Sequence, residues 1–289
     1  VRPVRTLVSW LTLRPIWSTL TWLVHSNLFI SLSTVSVAIT TAILAGFPLE
    51  ALPLFIVFAA TMFVYTVNRF TDLAEDEQNV PRRAAFTRRY GRRFLVAAVF
   101  LYVSAVAVAV AVGVPGASYL VLPLVVVAGY SVGGLKELFF VKNVVVGLAW
   151  GAIPLGVGYY YGDPWRLEVL FLTGYVGTMI TVAAVIFDIK DIEGDREEEI
   201  PTVPNVFGPS LTRRLSQGGN VLIALAVVAV VVATSLPSTF LVVLLMNGYV
   251  MAYIPFAEPD HGPLYYGFVV DGEHVFLAAV VIALEVWIW

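Results

Sequence analysis

Asn68-Arg-Phe-Thr-Asp72-Leu-Ala-Glu-Asp76 closes an apolar run over about 51–67 and sets polar side chains at positions 68, 72 and 76. Residues four apart share one face of a helix, so Asn68, Asp72 and Asp76 are expected to form a ladder of oxygens. A second cluster answers it where the apolar run ending at Phe187 gives way to Asp188-Ile-Lys-Asp191-Ile-Glu-Gly-Asp195. Spacings of three, four and seven predict a shared helical face for Asp188, Asp191 and Asp195 as well. Facing ladders of carboxylates suit Mg²⁺, which favours one or two carboxylates completed by water and substrate phosphates. A diphosphate substrate is therefore the first expectation.

The stretches between the clusters set the fold class. Hydrophobic residues make up 59% of the chain and charged residues 13%, against about 45–50% and 25% in an ordinary soluble domain. Such a chain cannot cover its surface with polar groups in water. Apolar runs of about 20 residues, enough to cross a hydrocarbon core, recur along its length. Because lipid leaves no partner for open backbone, the spanning elements are helices. The fold expected is an all-α, polytopic membrane bundle forming a single domain over 1–289. With no cysteine, neither a disulfide framework nor a thiolate site is available. No cleavable signal sequence is evident, and a start at Val1 suggests a processed N-terminus.

Nine spans are predicted, at about 19–45, 51–67, 94–112, 118–135, 143–161, 168–187, 221–234, 239–257 and 274–289. Arg2, Arg5 and Arg14 beside Trp10 and Trp17 read as an interfacial lead-in to the first. A loop is expected from the second acidic cluster to Gly219. If the N-terminus is cytoplasmic, 16 of the 17 Lys and Arg residues fall inside and Arg166 alone outside, as the positive-inside rule requires. Both acidic clusters then face the cytoplasm of a multi-pass cell-membrane protein. Each cluster follows the second span of a four-span unit. Two such pseudo-repeats plus one span would join the clusters at the cytoplasmic mouth of a central cavity.

At the clusters the chain resembles the UbiA superfamily of intramembrane prenyltransferases. Asn68-x-x-x-Asp72-x-x-x-Asp76 is similar to its first aspartate-rich motif and Asp191-Ile-Glu-Gly-Asp195 to its second, with Asn79-Val-Pro81-Arg82 and Thr202-Val-Pro204 continuing them. Tyr130 and Lys136 resemble the family's tyrosine and lysine motif, spaced two residues wider. Arg69 stands where many members carry another acid, and Glu199 where a glycine is common.

The resemblance implies Mg²⁺-dependent transfer of a prenyl group from a polyprenyl diphosphate to a hydrophobic acceptor, through an allylic cation formed within the membrane. It makes Asn68, Asp72, Asp76, Asp188, Asp191 and Asp195 candidate metal ligands, with Asp72, Asp191, Lys136 and Tyr130 in catalytic roles. Arg82, Arg83, Lys136, Lys142 and Lys190 become candidates to grip diphosphate oxygens. Rings of Tyr65, Tyr130, Phe63 or Phe139 could steady the cation. His25, Asn27 and Tyr65 are candidates to line the prenyl or acceptor site; packing roles suit His25 and Asn27 equally. The rest of the basic run to Arg93 reads as an orienting cytoplasmic segment.

The absence of a clear second basic pocket favours an aromatic, quinone-precursor-like or lipid acceptor. Ether-lipid transfer to a geranylgeranylglyceryl phosphate is the alternative. A secondary transporter is the rival from another class, since intramembrane acids and repeats mark transporters too; a non-catalytic scaffold would not need two matched ladders. No nucleic-acid partner is expected.

Overall fold

The computed structural model describes residues 17–129, 138–197, 199–262 and 264–288, with every side chain among them except that of Glu75. The expected lead-in residues Arg2, Arg5, Trp10 and Arg14, and the expected site residues Tyr130 and Lys136, lie outside them. Among the described residues all regular structure is helical. Seven helices are long and apolar enough to cross a membrane, or eight if the bent first pair counts as one span. The span expected over 118–135 is described only as a 3₁₀ turn, Ala117–Val121, and a short helix α6, Leu122–Val127.

The first span breaks where the sequence interrupts it. Helix α1, Trp17–His25, meets α2, Leu28–Leu44, at 73°. Asn27 holds the corner with φ +62°, a left-handed conformation that asparagine tolerates better than most residues. Helix α3, Ala51–Thr71, carries its helical hydrogen bonding through Asp72 into α4, Leu73–Asn79.

Helix α5, Pro81–Ala111, begins far before the expected 94. Its buried positions, Ala84, Thr87, Gly91, Ala98, Tyr102, Ala105 and Ala109, keep one helical stripe through both the basic and the apolar halves. Pro81 opens it at a position where a missing N–H costs nothing.

Helices α7, Val141–Tyr160, and α8, Leu167–Phe187, pack closely along glycines. A Cβ on Gly147 would collide with the Thr181 side chain and lie 2.5 Å from the Gly177 carbonyl; one on Gly151 would lie 2.8 Å from the Thr173 carbonyl. Small residues let backbones approach where no hydrophobic effect separates helix from lipid.

After the short α9, Ile192–Glu197, the predicted loop to Gly219 is instead the first half of α10, Val203–Ala233. Thr212, Ser216 and Asn220, four apart, are buried on it. Their polarity disguised a helical face. Gly208, at φ +78° and ψ 158°, kinks the helix before Pro209.

Asn220 exchanges hydrogen bonds with Asn247 of α11, Leu244–Tyr253, while Tyr175 of α8 donates to the Asn247 Oδ1 at 2.9 Å. This buried clamp ties three helices within the main apolar core, which runs through Leu172, Val176, Met179, Phe240, Met246 and Leu277. The chain ends in a π-helical turn, Tyr265–Val270, and α12, Glu273–Trp287. Large apolar side chains such as Phe100, Leu222, Val232 and Trp287 cover the outer faces.

Candidate active site

A cavity of about 630 Å³ lies among these helices, lined by residues of both acidic clusters. From the first come Asp72 and Asp76, with Asn79, Arg82 and Arg83 just beyond; from the second come Asp188, Lys190 and Asp191. His25, Asn27, Tyr65 and Lys142 also stand on its wall, whereas Asn68 and Asp195 do not. Ile30, Val146, Ile180, Ala183 and Phe187 supply apolar wall.

The first ladder keeps its predicted form. The Asp72 N–H bonds the Asn68 carbonyl at 2.9 Å and the Asp76 N–H bonds the Asp72 carbonyl at 2.8 Å. The second does not follow one helical face. Helix α8 stops at Phe187, Asp191 closes a tight turn onto the Asp188 carbonyl at 3.3 Å, and α9 begins only at Ile192. The Asp195 N–H still bonds the Asp191 carbonyl at 2.8 Å, but Asp195 does not line the cavity.

Cations from the chain already neutralise much of this charge. Arg83, in the first turn of α5, grips Asp76 with two hydrogen bonds, the Nε one at 2.8 Å. Burial alone would raise the Asp76 carboxyl, but the Arg83 hydrogen bond and charge, with those of Arg69 and Lys190, hold it below the usual range. Lys142 bridges Asp188 at 3.0 Å and Asp195 at 3.4 Å, clamping the start of α7 to the second cluster. Burial pushes the Asp188 carboxyl above its ordinary value, opposed by Lys142 and by the Asn143 amide at 2.9 Å. Lys190 pairs with Asp191.

The wall nevertheless carries unspent polar capacity. Among the described residues, His25 Nε2, Asn79 Nδ2, Asn143 Oδ1 and Asp191 Oδ1 are buried on it and make no hydrogen bond. Buried polar atoms are nearly always paired, so four orphans around one void mark a place made for a polar ligand. The two asparagines were not assigned roles from sequence. Asn143 adjoins Lys142 at a helix start, and Asn79 sits within the continuation of the first motif, which was the available signal.

Mg²⁺ fits this donor set in a specific way. Among the described residues no group of three His, Asp or Glu side chains forms a ready metal cage. Asp72 and the orphan Asp191 Oδ1 offer hard oxygens on one cavity, matching an ion that takes one or two carboxylates and completes its shell with phosphate.

On the same wall, the Trp150 Nε1–H donates to the Tyr65 hydroxyl at 3.1 Å, fixing two rings there. Trp150 was not anticipated. Phe63, by contrast, stacks on Tyr102 at 4.6 Å, and neither it nor the exposed Phe139 lines the cavity. Arg69 does line it; its Nε donates to Asn27 Oδ1 at 3.3 Å, and the Asn27 amide donates to Thr66. The corner of the first span thus orients a guanidinium where an acid was the family expectation.

The model of the UbiA prenyltransferase family matches residues 10–260. Over 156 residues the chain is 26% identical to digeranylgeranylglyceryl phosphate synthase of Methanosphaera stadtmanae, covering 53% of this chain and 55% of that protein. The chain thus spans about half the length of that curated relative. Among solved structures, the apo structure of a UbiA homolog from Aeropyrum pernix K1 superposes with a TM-score of 0.66 at 18% identity, over 89% of this chain and 98% of that one. A UbiA homolog from Archaeoglobus fulgidus bound to GPP and Mg²⁺ superposes with a TM-score of 0.62 at 11% identity, over 90% and 97%. At these identities the likeness is one of fold.

Proposed function

Because this chain belongs to the UbiA prenyltransferase family, we propose that it transfers a prenyl group from a polyprenyl diphosphate to a hydrophobic acceptor within the membrane. The observation that carries the reading is the cavity itself. Its wall joins carboxylates and cations of two distant sequence clusters to apolar helix faces, and keeps four buried polar atoms without partners among the described residues.

In this reading Asp72 and Asp191 hold Mg²⁺, which when bound supplies neutralising charge to the departing diphosphate. Arg82 and Lys190 reach diphosphate oxygens, with the Asn79 amide as an uncharged donor. Arg83 and Lys142 contribute from fixed positions, since Asp76 and Asp188 already orient them. Asn68, Asp76, Asp188 and Asp195 support these groups rather than bind metal directly. Tyr65 and Trp150 present ring faces to the allylic cation, a contact worth about 2 kcal/mol or more when desolvated. Ile30, Val146, Ile180 and Phe187 keep the tail and the cation from water.

For the acceptor, an aromatic or other apolar molecule and a glycerophosphate ether lipid both fit. The likeness to the Methanosphaera stadtmanae protein favours the second, and Arg69 on the wall supplies a cation for an anionic head group. Family membership moves the weight off a transporter.

The test is product formation. Purified protein in lipid nanodiscs would receive geranylgeranyl diphosphate, Mg²⁺ and either 4-hydroxybenzoate or geranylgeranylglyceryl phosphate, with products followed by mass. A prenylated acceptor and matching diphosphate release are expected. Neither product nor diphosphate release with either acceptor would contradict the proposal.

A further inference from the structure

Prenyl transfer leaves one proton to be removed. The acceptor atom that attacks C1 of the prenyl group, a hydroxyl oxygen or an aromatic carbon, carries a hydrogen it must lose. In a dry cavity that hydrogen needs a base already in place. The wall offers six carboxylates: Asp72, Asp76, Asp188, Asp191, Asp260 and Asp271. Asp76 and Asp188 are committed to Arg83 and Lys142, and Asp191, paired with Lys190 through one oxygen, is read above as a metal ligand through the other. Asp72 belongs to the first motif, and Asp260 lies on the exposed segment before α12.

Asp271 differs from all of them. It stands within the last membrane-spanning segment, Tyr265–Trp287, where an ionisable side chain is expensive and marks function by default. Among the described residues its carboxyl makes no hydrogen bond and no ion pair, though Arg69, Lys190 and Arg83 are near enough to act on it electrostatically. Lys190 and Arg83, read above as cations of the diphosphate end, line the same cavity as Asp271.

Its backbone is held from two sides. Ser33 of α2 donates to the Asp271 carbonyl, and the Asp271 N–H closes the π-helical turn onto the Tyr266 carbonyl at 3.1 Å. Gly267 in that turn lies so close to Val24 of α1 that a Cβ there would collide with it. Single π turns inside helices recur at functional sites; this one brings a carboxylate to the cavity with its main chain fixed.

His25, also on the wall, packs its ring against Phe86 at 6.0 Å. Glu273 and His274 are fully buried and do not reach the cavity.

Resting on the prenyl-transfer reading, the geometry points to Asp271 as the general base that takes the acceptor's proton. The C1–O bond breaks and its electron pair leaves with the diphosphate. An electron pair of the acceptor forms the bond to C1, and the acceptor's hydrogen passes as a proton to an Asp271 carboxylate oxygen. The resulting neutral carboxylic acid returns that proton to water when the product leaves.

Asp271→Asn preserves shape and the Ser33 contact, and Asp271→Glu restores a base. Both would be compared with wild type in three measurements: binding of radiolabelled geranylgeranyl diphosphate with Mg²⁺, release of diphosphate, and prenylation of whichever of 4-hydroxybenzoate or geranylgeranylglyceryl phosphate the wild type uses. The expected result is unchanged binding in Asp271→Asn, with prenylation and the diphosphate release coupled to it down roughly 100-fold or more and both partly recovered in Asp271→Glu. Prenylation by Asp271→Asn within threefold of wild type would overturn the assignment while leaving the transferase reading intact. Failure of the wild type itself to bind geranylgeranyl diphosphate would overturn both.

Discussion

Asp191 shows most clearly how single residues are set for work in this molecule. One of its oxygens is paired with Lys190 and the other is buried on the cavity wall without a hydrogen bond among the described residues. Asp191→Ala should lower prenyl transfer roughly 10²- to 10³-fold, the range seen when one preorganised electrostatic contact is removed, while the protein still inserts and folds. Wild-type turnover in a folded Asp191→Ala protein would remove it from the site. Asp76 has a different task. The Arg83 pair holds its carboxyl below the ordinary value of 3.8, so the pair's contribution to stability is complete above that pH and is lost as pH falls through the depressed folded value. Arg83→Gln leaves Asp76 buried without its ion pair and should cost on the order of 3 kcal/mol. Thermal unfolding in detergent at pH 7 and at pH 3 would show the loss at the higher pH and a smaller difference at the lower. The helical spacing of the first cluster was legible because it matches the turns that carry it. Asp271 was not, since a lone acid followed by Gly-Glu-His at the head of an apolar run reads as loop. Only the π turn shows that these residues lie inside the span.

At the scale of elements, close helix approach decides where the two clusters stand. Gly194 of α9 meets the Asn79 side chain of α4, where a Cβ would lie 2.6 Å from the Asn79 Cγ and nearer still to its amide atoms. Gly194→Ala must therefore part α4 from α9 or displace Asn79. It should reduce transfer by up to about 100-fold, the scale of an ångström-sized misplacement, with little change in unfolding temperature. Gly147→Ala tests packing rather than catalysis: a Cβ there meets the backbone of α8, and the cost should be about 1–3 kcal/mol. Gly156→Ala on the same helix meets nothing within 4 Å and serves as its control. Equal unfolding temperatures for the two variants would contradict the packing described. Helix ends were the least legible features for a physical reason. Hydropathy marks where lipid begins, but α5 and α10 each run 31 residues, and their polar halves continue the same buried stripes outside the apolar segment. The break after Phe187 was hidden in turn by acid spacings that also fit an unbroken helix.

The molecule as a whole follows from composition. A chain with 59% hydrophobic residues must turn apolar side chains outward, and Phe100, Leu222 and Val232 do so. The helical membrane class, and a cavity with both acidic clusters on its wall, were foreseeable from pattern. The 73° corner at Asn27 was visible only as an interruption, His25-Ser-Asn27, whose angle no pattern encodes. Sidedness is open to direct test because the native chain has no cysteine. The distribution of Lys and Arg predicts that a cysteine at Glu77 is labelled only from the cytoplasmic side and one at Asp163 only from the other; the reverse pattern would invert the topology. The central claim is that prenyl diphosphate binds in this cavity through Mg²⁺ and carboxylates of both clusters. Its most direct test is binding of radiolabelled geranylgeranyl diphosphate to purified protein, with Mg²⁺ and with excess chelator, in wild type and Asp72→Ala. Binding that needs Mg²⁺ and is lost in Asp72→Ala is the result predicted; binding indifferent to both the chelator and the substitution would contradict it.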